Sequence, residues 1–173
     1  MLEKLIVLYW YSYDISFLLL VLDIFIFFAR DPLREDVLYV FSGIFFMRMC
    51  MYRTGIQIPL GTRIGEGFRI VHFGHIVINP NTKIGKNFNI SQGCLIGNSQ
   101  GKHAGTPIIG DNVCMNANSI IIGGVSIGNN VLIAPGAFIN FDVPDNSIVI
   151  GNPGKIVERG ESPTSKYIVN PIL

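Results

Sequence analysis

From residue 55 onward, one large aliphatic side chain returns at every sixth position. Ile109, Met115, Ile121, Ile127, Ile133 and Ile139 share a single phase. Four places after each stands a small or β-branched residue: Val113, Ser119, Val125, Val131, Ala137 and Val143. The same period runs through Ile58, Ile64 and Ile70, and again through Ile78, Ile84, Ile90 and Ile96. A helix repeats its apolar stripe about every 3.6 residues and a half-buried strand every two, so neither explains a period of six. A short strand plus a corner does. The large residue plugs the inside of each corner and the small one fills the space that remains. Behind the plugs come Gly65-Glu66, Gly85-Lys86-Asn87, Gly110-Asp111-Asn112 and Gly128-Asn129-Asn130. Gly, Asn and Asp tolerate the positive φ that tight corners demand. Three hexads close one triangular coil, and stacked coils bury an aliphatic column that no single coil could bury alone.

The phase breaks twice. Ile70 to Ile78 spans eight residues and Ile96 to Ile109 spans thirteen. The second break holds Asn98 to Pro107, read as a loop projecting from one corner, and such loops are where chemistry usually sits. Both breaks contain or adjoin histidines.

Residues 1–54 follow another pattern. Two apolar stretches, Leu5 to Phe28 and Val37 to Tyr52, flank the polar hinge 29–36, where Pro32 suits a first helical turn. Both stretches are expected to be helical. The run Ile15 to Phe28 is short for a membrane span and carries Asp23. The region is therefore expected either to pack in an oligomer or to lie on a membrane surface. The resulting division is a helical region 1–54, a β-helix 55–150 with loop 98–107, and a tail 151–173.

Composition removes several classes. The formal charge is +1 with both signs scattered, which argues against a nucleic-acid surface. Cys50, Cys94 and Cys114 are odd in number and lack metal-type spacing, so they read as apolar residues of a reducing, cytoplasmic compartment. His72 and His75 are separated by two residues, and a metal site is not expected.

Gly55-Ile-Gln-Ile-Pro59, Ile64-Gly-Glu-Gly67, Ile70-Val-His-Phe-Gly74, Ile76-Val-Ile-Asn79, the His103 loop and Gly151-Asn-Pro-Gly-Lys155 together resemble the serine acetyltransferase branch of hexapeptide acyltransferases. Within it the chain is most similar to the small members of capsule and exopolysaccharide synthesis, such as colanic acid acetyltransferases. The resemblance implies a mainly β fold, a left-handed parallel β-helix preceded by a short α-helical region. It also implies a homotrimer with acetyl-CoA in the groove between subunits.

The family's catalytic base falls on His72. The carboxylate that usually orients it is replaced by Gln57, and Val71 stands where serine acetyltransferases carry Asp. His103 matches a second active-site histidine; His75 has no counterpart and reads as a surface residue. The resemblance points to Asn98, Ala117, Gly123, Pro135 and Gly136 along the donor groove and to Lys155 at the CoA phosphates. An alcohol attacking a thioester needs a positioned base, and histidine titrates in the right range. A backbone N–H in a turn suits the developing oxyanion. Val71 and Gln57 turn the expectation away from serine. The expected acceptor is a sugar hydroxyl, free or on a lipid-linked glycan, in surface polysaccharide assembly, with possible peripheral membrane contact. The alternatives are serine O-acetylation and a non-catalytic trimeric scaffold.

Overall fold

The computed structural model describes residues 35–158, 161–169, 171 and 172. The chain forms two compact units, 1–49 and 50–173. One helix, α1 (Glu35–Thr54), covers the second apolar stretch and crosses that boundary. The first stretch, Leu5 to Phe28, lies outside the described residues. Among the described residues no helix is long and apolar enough to cross a membrane.

The second unit is a triangular parallel β-helix of three sheets. Sheet A stacks β1 (Ile56–Gln57), β4 (Ile76–Ile78), β7 (Leu95–Gly97), β10 (Ile120–Ile122) and β13 (Phe138–Ile139). Sheet B stacks β2 (Arg63–Ile64), β5 (Lys83–Ile84), β8 (Ile108–Ile109) and β11 (Ser126–Ile127). Sheet C stacks β3 (Arg69–Ile70), β6 (Asn89–Ile90), β9 (Cys114–Met115), β12 (Leu132–Ile133) and β14 (Ser147–Ile150). Each strand pairs in parallel with the strand one coil away, for example Ile96 with Ile121 and Ile84 with Ile109. The plugs of the six-residue repeat therefore fall into one column, and Ile78, Ile84, Ile90, Ile96, Ile109, Met115, Ile121, Ile127, Ile133 and Ile139 are all buried. In the lower coils Phe68 and Phe88 fill the place taken higher up by Val113 and Val131. Their rings stack with centroids 6.1 Å apart.

The corner residues divide the work. Asn87, Asn112, Asn130 and Asn146 adopt φ near +56° (55, 57, 56 and 56) and form a ladder. Each of the first three donates its amide N–H to the next asparagine's Oδ1, at 3.0, 3.1 and 3.0 Å. The glycines two places before Asn87, Asn112 and Asn130 serve close stacking. A β-carbon on Gly85 would stand 2.7 Å from the carbonyl of Gly110 in the next coil.

The chain after Ile150 differs from the tail expected there. It turns back as β15 (Lys155–Glu158), antiparallel to β14, with Lys155 opposite Ile150. Residues beyond it return along the prism. Asn89 donates to the Tyr167 carbonyl at 3.0 Å, and Asn87 exchanges two hydrogen bonds with the Ile172 backbone, at 3.0 and 2.9 Å.

Candidate active site

The turns that carry the expected site residues collect on two edges of the prism, the two that bound sheet A. Where sheet C passes into sheet A, the edge carries His72 at its foot, Ala117 two coils on, and Pro135 and Gly136 one coil beyond that. The backbone ties this edge together. Gly93 N–H donates to the His75 carbonyl at 2.7 Å, Asn118 N–H to Gln92 at 3.0 Å and Gly136 N–H to Ala117 at 2.9 Å. The 151–154 turn closes the top of the same edge, bonded to Phe138 through Gly151 O and Gly154 N–H, both at 3.0 Å. Lys155 follows it, exposed. From His72 to this turn is four coils, about 19 Å at a strand spacing of about 4.8 Å. Pro135 and Gly136 are exposed and Ala117 half-buried, so the edge offers a nearly bare backbone.

Where sheet A passes into sheet B lie Asn98, His103 and Gly123. The 98–107 loop is a small hairpin: Ser99 and Gly105 exchange N–H···O bonds at 3.1 and 3.0 Å. It is pinned above by Gly124 N–H on the His103 carbonyl at 2.9 Å, and below by the Thr106 hydroxyl on the Asn81 carbonyl at 3.1 Å. Lys102 and His103 are exposed at its tip. Gly123 is buried against it from the same coil as Gly124, where a β-carbon would meet the His103 carbonyl at 2.7 Å. His72 and His103 thus occupy different edges, separated by the width of sheet A.

His72, His75 and Gln57 are exposed, and no hydrogen bond joins Gln57 to His72. Among the described residues no three His, Cys, Asp or Glu side chains gather. Cys114 faces outward on sheet C yet is only 3% exposed. Desolvation by burial, partly offset by a hydrogen bond with Asn89, raises its pKa to about 11. A thiol held that high is almost wholly protonated near neutral pH and is a poor nucleophile. Iodoacetamide on the folded chain at pH 8 is expected to alkylate Cys50, which is exposed, and to leave Cys94 and Cys114 until denaturant is added. Peptide mass spectrometry before and after unfolding reads the difference.

The comparisons with known proteins agree with this architecture. Residues 106–140 match the bacterial transferase hexapeptide (six repeats) family. Serine acetyltransferase of Synechococcus elongatus is 35% identical over 108 residues, which is 61% of this chain and 44% of that protein. Serine acetyltransferase of Staphylococcus aureus is 36% identical over 126 residues, 69% of this chain and 59% of that protein. The crystal structure of Neisseria gonorrhoeae serine acetyltransferase in complex with serine superposes with a TM-score of 0.57 at 32% identity, covering 70% of this chain and 48% of that one. The chain spans about half the length of these relatives. Its β-helix is the left-handed hexapeptide-repeat kind.

These relatives overturn the expectation of a sugar acceptor in polysaccharide synthesis, because the proteins this chain resembles are serine acetyltransferases. That expectation rested on Val71 and Gln57. Two side chains on one turn and one strand weigh less than identity along the whole solenoid. The lipid-linked glycan goes with it; the run Ile15 to Phe28, on which the expectation of membrane contact rested, lies outside the described residues.

Proposed function

We propose that the chain is an O-acetyltransferase that moves an acetyl group from acetyl-CoA to the hydroxyl of serine, with its sites formed between copies of a homotrimer. The observation that carries this reading is the edge with His72 at its foot, exposed backbone along its length and Lys155 at its head. The donor lies along that edge. Its phosphates meet the Lys155 ammonium, and its pantetheine arm passes Pro135, Gly136 and Ala117, where no large side chain blocks close approach. The thioester then reaches the turn of His72.

His72 takes the proton from the acceptor hydroxyl as the oxygen attacks the thioester carbonyl. A backbone N–H of the 72–75 turn stabilises the resulting oxyanion. Collapse breaks the C–S bond, and the imidazolium returns the proton to the departing CoA thiolate, which leaves as the free thiol. Val71 supplies no charge for the serine ammonium, so the imidazole and the loop must do more of the positioning.

A second copy of the chain is needed because His103 projects from the other edge. Between the edges, the outward faces of Val77, Leu95, Ile120 and Phe138 form an apolar ladder in register on sheet A. Covering this ladder in a trimer brings the 98–107 loop of one copy to the His72 edge of the next.

Thiol release from acetyl-CoA tests the reading. L-Serine is expected to accelerate release well above hydrolysis, whereas a non-catalytic scaffold gives none. Lys155→Glu is expected to raise KM for acetyl-CoA roughly ten-fold, since a charge-assisted phosphate contact becomes repulsion, while KM for serine stays near wild type. Equal acetyl-CoA KM in variant and parent would remove Lys155 from the donor site.

A further inference from the structure

The turn that carries His72 is longer than its counterparts, and what lies behind the extra residues has chemical consequences. Val71 N–H donates to the Ile90 carbonyl at 2.8 Å, and the next tie along the edge is Gly93 N–H on the His75 carbonyl at 2.7 Å. Between these ties, 72–74 on one coil faces only Ser91 and Gln92 on the next. His72 and Phe73 are looped out, and Phe73 is 85% exposed. Gln92 fills the space behind the bulge. Gly74, at φ 141°, is what admits it: a β-carbon there would stand 3.1 Å from the Gln92 Cβ.

The amide oxygen of Gln92, Oε1, is buried and accepts no hydrogen bond. A buried carbonyl without a donor is rare in a folded protein and asks for one. The imidazole of His72, on the bulge that Gln92 backs, likewise makes no hydrogen bond within the described residues. An acceptor stripped of water and a ring N–H without an acceptor therefore stand on adjacent coils of one edge, not bonded to each other in this structure.

We propose that Gln92 is the positioning residue for His72, its Oε1 accepting one imidazole N–H so that the other ring nitrogen is free to take the acceptor's proton. The inference rests on His72 being the base. The tautomer of an imidazole is set by the bond its second nitrogen makes. Gln57, the amide first expected in this role, is exposed, so water competes for its carbonyl. Burial removes that competition at Gln92 and strengthens the bond it forms. The amide is neutral, and holds the ring without adding charge to the donor groove.

The test follows the ring directly and does not depend on turnover. In ¹⁵N NMR of the intact chain, His72 is expected to hold a single tautomer in the wild type and in Gln57→Leu, and a mixture in Gln92→Leu. Gln92→Glu places a carboxylate against the ring and is expected to move the His72 titration midpoint upward by about one unit, with His75, the other titratable group of the turn, shifting less. In thiol release with serine, Gln92→Leu is expected to lose roughly ten- to a hundred-fold in kcat with acetyl-CoA KM little changed. Gln92→Asn, one methylene shorter, should recover only part of that loss. An unchanged tautomer in Gln92→Leu together with an unmoved midpoint in Gln92→Glu overturns the inference, whatever the activity. If the NMR behaves as expected but His72→Ala retains turnover, Gln92 positions the ring and it is the catalytic reading that fails.

Discussion

His72→Ala is expected to lower kcat by roughly 10²–10⁴, a loss of about 3–5 kcal/mol of transition-state stabilisation, while the β-helix stays folded. The two halves of this expectation have separate causes. The imidazole is exposed on a looped-out turn and touches none of the buried isoleucine column, so its removal leaves the core packing as it was. A serine hydroxyl, by contrast, has one other imidazole on that edge, His75, which lies beyond the bulge at the tie to Gly93; Ala117, Pro135, Gly136 and the glycines of the turns have nothing to accept a proton. Steady-state kinetics with serine and acetyl-CoA read the first half, and a thermal melt followed by circular dichroism reads the second. His75→Ala, three residues on, is the control, and is expected to keep most of its turnover. A His72→Ala enzyme that retained half of wild-type kcat would end the case for His72 as the base.

The fold could be read from the sequence because the repeat is redundant. Each plug at the six-residue spacing from Ile78 to Ile139, Met115 included, restates the same kind of corner, and an error at one position does not disturb the phase. The roles of individual corner residues were less visible. Gly85 and Asn87 both belong to residue types that permit positive φ, yet only Asn87 uses it (φ 55), while Gly85 is required by the coil stacked against it. The sequence alone does not separate these roles, because both are consequences of the stacking register. β15 was missed for a related reason. It pairs antiparallel with β14 and lies outside the repeat, so the period of six carries no signal for it. The acceptor was misread because two substitutions near the base were given more weight than the continuous match around them. Gln92 carried no signal of its own, as a glutamine behind a turn becomes informative only once the burial of its oxygen is known.

Co-expressing His72→Ala with His103→Ala is expected to restore activity that neither variant has alone. The reason is topological. His72 follows β3 of sheet C, and His103 follows β7 of sheet A, so one chain presents them on different edges of its prism. A trimer packed through the apolar ladder of sheet A instead joins the His72 edge of one copy to the His103 loop of its neighbour. In mixed trimers, a chain altered at His103 can supply an intact His72 to a site whose loop comes from a chain altered only at His72. Every mixed trimer has one of its three interfaces fully wild type, and turnover per site in the isolated mixed species should recover to about a third. If both histidines served a site within one chain, no mixed trimer would contain an intact site and the co-purified material would remain at background. If His103→Ala alone kept wild-type turnover, the loop would be structural, and the groove would need only the edge that runs from His72 to Lys155. Two affinity tags on the two variants isolate the mixed species, and thiol release with serine measures them. The outcome turns on the two-residue bulge at His72 and the hairpin at His103, the two places where the repeat of six gives way.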